Sequence, residues 1–265
     1  MSLIPQVGNG SGAVSSGEEL RLHYPLIATH LGAILQDVPL IEPVKARGTG
    51  PLTLLSPFST LAFVTIFQFV EGMSDSQAVA ATRQRADWRA ALQLSPLYPG
   101  VNPSQMCPFR RGLYQQPAQR AYLDHISRNL VQTGCLTQPL RVSTVEMVEH
   151  VCMMNRMEWV REALLRALEA LAASQGAWLR QASLPHWFLR YNRRCDHSPA
   201  RQTLPQLEAA MLRLGADSYH LLYCMAPDAP LDPHSRSILR ELEHTWKQHF
   251  LVREGEVILR EFYCR

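Results

Sequence analysis

Met153-Met154-Asn155-Arg156-Met157-Glu158-Trp159-Val160-Arg161-Glu162-Ala163-Leu164-Leu165-Arg166-Ala167-Leu168-Glu169-Ala170-Leu171 is the stretch whose spacing decides the fold class. Met157, Val160, Leu164, Ala167, Leu168 and Leu171 recur at intervals of three and four, which stacks them on one face of a helix. Glu158, Glu162 and Arg166 line the opposite face as i,i+4 neighbours that stabilise it from the solvent side. The pattern predicts a long helix from about Val145 to Leu171 and a mainly α protein around it.

Helical spacing continues on both sides of this stretch. Downstream, shorter helices are expected over Ala177 to Ala182, Pro185 to Tyr191 and Thr203 to Leu214, with Thr203 as cap. Asp232-Pro233 is a cap followed by a first-turn proline, opening a last long helix with Leu239, Leu242, Trp246 and Phe250 as its apolar stripe. Val257 to Phe262 reads as a final strand. Upstream, Pro57 to Val70 is apolar on nearly every side, as a helix buried on several faces would be, and Gly72 ends it. Ser74-Asp75-Ser76-Gln77 is a capping box opening a helix to about Leu94. Pro96, Pro99, Gly100 and Pro103 make a loop, a short helix starts at Ser104, and another covers residues 117 to 134. Leu140 to Val145, short and β-branched, is expected as a strand. A short helix is expected over Leu26 to Leu35, and residues 1 to 19, rich in Gly and Ser, as mobile linker. The domains are therefore expected as an irregular segment over 1–50, a helical unit over 51–135 and a second helical region over 136–265.

Composition excludes several function classes. With 265 residues and 46% hydrophobic content the chain can bury a substantial core, so wholesale disorder is excluded. Six widely spaced cysteines without a C-x-x-C pair argue against a zinc knuckle or a disulfide scaffold and for a reducing, cytoplasmic compartment. No signal peptide is seen, and the longest apolar run is too short and too polar to span a bilayer, so no membrane role is expected. The G-x-S-x-G elbow, the phosphate-binding G-x-x-x-x-G-K loop and the H-E-x-x-H helix are all absent. Glu241 and His244 form a single E-x-x-H, and a di-metal bundle needs two. Met147, Met153, Met154, Met157 and Trp159 are read as core rather than as a cofactor pocket, so neither cofactor nor metal is expected.

The charge distribution is more informative. Lys45 and Lys247 are the only lysines among 26 basic residues, and residues 81–128 sum to +5 within a chain of net +3. Arg83, Arg85, Arg89, Arg110, Arg111 and Arg120 fall on two or three short helices around the Pro-rich loop. They are either phosphate-positioning residues of a helical DNA-binding unit or simply solvated arginines.

Three motif blocks bear on that choice. Phe69-Val70-Glu71-Gly72-Met73-Ser74-Asp75-Ser76-Gln77-Ala78-Val79, Ala86-Asp87-Trp88-Arg89-Ala90-Ala91-Leu92 and Phe109-Arg110-Arg111-Gly112-Leu113 resemble, in order and spacing, the N-terminal helical domain of DDE-type insertion-sequence transposases, with its "GLSDREA", "xxWRxALGL" and "FRxRL" blocks. Further on, Arg141-Val142-Ser143-Thr144 is similar to their "R-T-D-S-T" strand and Met154 to Glu162 to their "LNRLELVGE" helix. Trp178-Leu179-Arg180, Trp187 to Tyr191 and Leu239 to Phe250 match the helical insertion downstream. The resemblance covers roughly residues 50 to 260. Asn102-Pro103-Ser104 departs from the family's loop, and Gly112 interrupts the last block.

The resemblance implies a DNA-binding N-terminal unit whose DNA contacts are Arg83, Arg85, Arg89, Arg110 and Arg111, with Gln84 and Gln105 reading bases. It implies no chemistry here. The first catalytic aspartate of the family aligns with Val142, which offers no oxygen to Mg²⁺, and the chain reaches Arg265 about where the segment with the other two carboxylates would begin. A slipped register bringing in Glu146 or Glu149 would still supply a single carboxylate. At most a remnant of an RNase H-like sheet is expected. Two functions follow as expectations: a catalytically incapable, double-stranded-DNA-binding derivative that represses or competes with transposition, or an interaction module pairing with itself, an intact transposase or another host protein. In the second case Trp246 and Phe250 are expected to supply an exposed apolar surface.

Overall fold

A computed structural model describes residues 20–37, 55–191, 202–229 and 231–261. The Gly/Ser-rich stretch, the helix breakers Pro39 to Pro51, Lys45, Cys195 and Cys264 lie outside the described residues.

The chain is mainly α-helical. α1 (Tyr24–Ile34) buries Ile27 and Ile34 completely. α2 (Pro57–Glu71) starts where Ser56 Oγ accepts from the Ser59 amide, with Pro57 in the first turn, and ends at Gly72 in the left-handed region (φ 68°). Every residue from Phe58 to Val70 is buried, as its all-round apolar pattern requires. Thr65 keeps its hydroxyl satisfied at the Leu61 carbonyl, 2.8 Å away.

The expected helix from Ser74 to Leu94 is two helices. α3 (Asp75–Gln84) opens on the Ser74/Gln77 capping box, and Arg85 then leaves helical geometry (ψ 118°) before α4 (Ala86–Ala91). α5 (Pro103–Gln115) and α6 (Pro117–Gln132) follow, each with proline in its first turn. Residues before α1 are pinned to the loop after α6: the His23 amide donates to the Cys135 carbonyl (2.8 Å) and the Thr137 amide to the Arg21 carbonyl (3.1 Å).

The expected strand over Leu140 to Val145 does not form. Ser143 caps α7 (Thr144–Ala182) in a reciprocal box with Glu146, so the β-branched residues Thr144 and Val145 lie in its first turn. α7 is 39 residues long and passes Gly176, where a break was expected, with only a kink at Gln175 (φ −137°, ψ 39°). It is the spine: α2, α5 and α6 pack along it, as do α9 (Leu204–Tyr219) and α10 (Pro233–His249). α8 (Pro185–Tyr191) follows α7, and a π-helical turn, His220–Met225, follows α9.

Thr203 and Asp232 cap α9 and α10 as their sequence positions predict. Asp232 accepts from the His234 and Ser235 amides at 2.8 and 2.9 Å. The α10 stripe is buried, with Trp246 Nε1 donating to the Gly215 carbonyl (2.8 Å). Trp246 and Phe250 are 4% and 0% exposed, so the expectation that they form an open apolar surface is overturned: α10 lies against α7 and α9.

The one sheet among the described residues is an antiparallel hairpin of β1 (Phe250–Arg253) and β2 (Glu256–Leu259). Its turn, Glu254-Gly255, has both φ angles positive (54° and 84°), which matches the right-handed twist of the flanking strands. Arg156, 4% exposed on α7, reaches under the hairpin to the His249 and Arg260 carbonyls at 3.1 and 3.2 Å.

Candidate functional site

The arginine-rich stretch has to satisfy its own backbone and carboxylates before it can offer anything to a ligand. α3 and α4 meet at the Arg85 corner, and the non-helical chain from Leu92 to Asn102 leaves carbonyls that need donors. Arginine carries five N–H groups in a fixed fork, which suits this task.

Arg110 is a core residue. Its guanidinium, 3% exposed, makes a two-point ion pair with Asp75, and Nη2 also donates to Gln68 Oε1 (3.3 Å). Asp75 is held from the other side by Gln68 Nε2 (2.9 Å), and its amide donates to Asn155 Oδ1 on α7 (2.6 Å). One charged cluster therefore locks α2, α3, α5 and α7 together. No phosphate can reach Arg110, so its assignment as a DNA contact is corrected.

Arg85 is committed to partners as well, although it is only half-buried. It donates from Nε and Nη2 to Asp87 (3.0 and 2.6 Å), pairs through both terminal nitrogens with Glu71, and lies 5.4 and 5.3 Å from the Tyr24 and Trp88 ring centroids. Burial alone would lower the Arg85 pKa, but the bonds to Asp87 and Glu71 overcome it and raise it above the ordinary value. Burial, with the Glu71 charge and the hydrogen bond to it, pushes the Tyr24 hydroxyl up. The bond from Arg85 holds Asp87 below the usual carboxylate range. Arg89 donates to the Arg83 carbonyl (3.0 Å) and to that of Ser95, stapling the loop to α4. Arg120 does the same at the end of α5, at the Leu113 and Tyr114 carbonyls. Arg85 and Arg89 are thus both half-buried residues that hold the framework together.

Four of the expected residues stay at the surface. Arg83 is exposed; its Nε donates to the Pro99 carbonyl (2.6 Å), and its terminal nitrogens have no partner among the described residues. Gln84 is exposed at the end of α3, while Gln105 and Arg111 are half-exposed on α5.

A cleft of about 930 Å³ opens beside this unit, between the start of α1, the end of α2 and the starts of α7 and α9. Glu71, Arg85, Arg21, Glu146 and His150 line it together with Phe69 and Val142. His150 Nε2 lies 2.7 Å from the Gln202 carbonyl, so that nitrogen bears the proton. The reading from sequence missed this cleft; the only trace of it was the i,i+4 spacing of Glu146 and His150 on one face of a helix.

The family's Mg²⁺ ions do not fit the aligned residues. Val142 has no oxygen to offer, and Glu146 is committed to the α7 cap, its Oε2 accepting from the Ser143 amide (2.7 Å) and Oγ (2.9 Å). Those two bonds lower the Glu146 pKa. Among the described residues no group of three His, Cys, Asp or Glu side chains could hold a metal ion. Glu241 and His244 stay on an exposed face, Glu241 near Arg166 (3.9 Å) and His244 beside Gln248 (2.9 Å). No described helix is long and apolar enough to cross a membrane. Compared with known protein families, with characterised proteins and with solved structures, the chain matches none.

Proposed function

We propose that this chain is a transposase-derived cytoplasmic protein that binds double-stranded DNA through its N-terminal helices and carries no strand-transfer chemistry, acting as a repressor or competitor of transposition. One observation carries the reading: residues of separate resemblance blocks are partners in space. Asp75 of the first block pairs with Arg110 of the third, and Glu71 of the first accepts from Trp88 Nε1 of the second (3.3 Å). The framework leaves Arg83, Gln84, Gln105 and Arg111 outside, and these form the proposed DNA face.

Fluorescence anisotropy on duplex DNA between about 50 and 300 mM salt tests the proposal. Affinity should fall steeply with salt, and Arg83→Ala should reduce the log–log slope by about 0.9. Its thermal stability should stay within about 0.5 kcal/mol of the parent. Binding indifferent to salt, or absent throughout, refutes the reading.

A second reading is favoured by a different observation. Phe188 and Leu189, adjacent on α8, are 69% and 80% exposed, an adjoining apolar pair rather than scattered side chains. In this reading the chain associates with itself or with an intact transposase, and concentration-dependent mass by sedimentation, untouched by Arg83→Ala, identifies it.

A further inference from the structure

We infer that the cleft between the start of α1, the end of α2 and the starts of α7 and α9 is a binding site for an organic amine, an ammonium group carried on an apolar body. The inference stands apart from the DNA-binding reading, whose proposed face lies on α3 and α5.

The cleft's size and lining set the body of the ligand. At about 930 Å³ it is within the range of small-molecule sites, and Leu20, Leu22, Met73, Val142 and Leu204 present half-buried apolar side chains along it. The polar groups set the charge. Glu71 and Asp87 share a single guanidinium, that of Arg85, so this cluster keeps one carboxylate charge in excess. Glu146 adds another carboxylate: its cap bonds to Ser143 use Oε2 alone, and Oε1 has no partner among the described residues. Arg21, which is exposed, is the only cation besides Arg85 among the described residues of the lining. α2 also ends here, with Phe69, Val70 and Glu71 on the lining, and the last carbonyls of a helix carry its negative end.

The inner wall lacks a donor. His150, 4% exposed and one helical turn beyond Glu146, gives its Nε2 proton to the Gln202 carbonyl (2.7 Å), which sets Gln202 beside it. The side-chain Oε1 of Gln202 is buried with no hydrogen-bond partner, a cost that the N–H of a bound ligand would remove. An ammonium carries three donors and no acceptor, so it suits a wall whose open groups are two acceptors, Gln202 Oε1 and Glu146 Oε1, on either side of one histidine. An anionic ligand would meet the same acceptors and the same excess of negative charge, and would be repelled.

Tryptamine, an amine on an aromatic body, and indole-3-acetate, which carries a carboxylate on the same ring system, are the probes, titrated into the whole chain by isothermal calorimetry. Tryptamine should bind and indole-3-acetate should not. Gln202→Leu removes the buried acceptor but leaves the backbone carbonyl that holds His150, and it should weaken tryptamine by about tenfold or more. Glu146→Gln keeps the capping box, since glutamine serves at that position as well, and should weaken tryptamine by about two- to fivefold at low salt. Val142→Trp, at a half-buried position on the wall, should block the cleft altogether. Circular dichroism melts check the fold of each variant, and where one fails to fold the other two decide. Equal binding of the two probes, no binding of either at millimolar concentration, or a tryptamine affinity indifferent to these substitutions overturns the assignment and leaves the duplex-DNA reading untouched.

Discussion

Replacing Arg110 separates its two possible roles. A DNA contact at a surface leaves stability alone when truncated and weakens binding; the core ion pair does the reverse. The Arg110 side chain is 3% exposed and that of Asp75 25%, so the pair is buried at one end and partly wet at the other. Removing one partner of a buried pair costs about 3–5 kcal/mol, and the solvent that reaches Asp75 places Arg110→Ala near 3 kcal/mol. For a chain of this size each kcal/mol lowers Tm by roughly 2–4 °C, giving a drop of about 6–12 °C. Asp75→Asn alone should be strongly destabilising as well, because it leaves the guanidinium buried without its counter-charge. The double variant, Arg110→Ala with Asp75→Asn, should cost less than the sum of the singles by more than about 1 kcal/mol, since neither charge is then stranded. Urea titrations followed by circular dichroism read all three variants, with Gln84→Ala, at an exposed position, as the surface reference expected within about 0.5 kcal/mol of the parent. An Arg110→Ala protein as stable as the parent but impaired on DNA would refute the assignment of Arg110 to the framework.

Other perturbations test the rest of the fold. Burial and the neighbouring Arg156 cation hold His249 down at about 4, against about 6.5 in an unfolded chain. The folded state therefore holds the neutral ring, and its contribution is complete above pH 6.5 and lost as pH falls from there through 4, about 2 kcal/mol of it by pH 5. Urea midpoints at pH 7 and pH 5 should differ less in His249→Gln than in the parent. Ser74→Ala removes the cap of α3 from a nearly buried position and should cost about 1 kcal/mol in the same titration. Two glycine substitutions should go opposite ways. At Gly32, exposed on α1 with open space where a Cβ would go, alanine should stabilise by about 0.5–1 kcal/mol through helix propensity. At Gly215 a Cβ would collide with the Phe250 ring, which is fully buried, and alanine should destabilise by about 1–3 kcal/mol despite the same propensity gain.

The elements that were legible in the sequence are those whose information is local. The α10 start is written in Asp232-Pro233, the α3 start in Ser74-x-x-Gln77, and the end of α2 in Gly72, because each of these residues acts on amides or dihedrals within a turn of itself. Leu140 to Val145 was misread for a physical reason of the same kind. Its β-branched composition speaks for a strand, but Ser143-Thr144-Val145-Glu146 is also a capping box, and the box satisfies a backbone amide and a hydroxyl at once while a lone strand here would have no partner strand. The pairing of Val257 with Val252 was missed because two four-residue strands carry little periodicity; the two-residue turn Glu254-Gly255 between them was the better sign.

The arginines were illegible for a different reason. A sequence shows where a charge is, and its partner is set by the fold. Glu71 and Asp75 lie in the first motif block and Asp87 in the second, Arg85 just before the second and Arg110 in the third, and each of these acids is paired with one of those two arginines. The +5 charge of residues 81–128 therefore overstates what the surface can offer a phosphate. Part of it is neutralised by Glu71 and Asp75, which lie outside that window, and Arg89 and Arg120 are turned toward backbone carbonyls. Helical units built from short elements need such internal donors, because loops between short helices leave many carbonyls unpaired. Burial divides the arginine cluster of such a unit: Arg110 is held where four helices meet, and Arg83 faces solvent. The salt slope of Arg83→Ala and the melting temperature of Arg110→Ala should consequently divide between two residues a role that their sequence assigns to both.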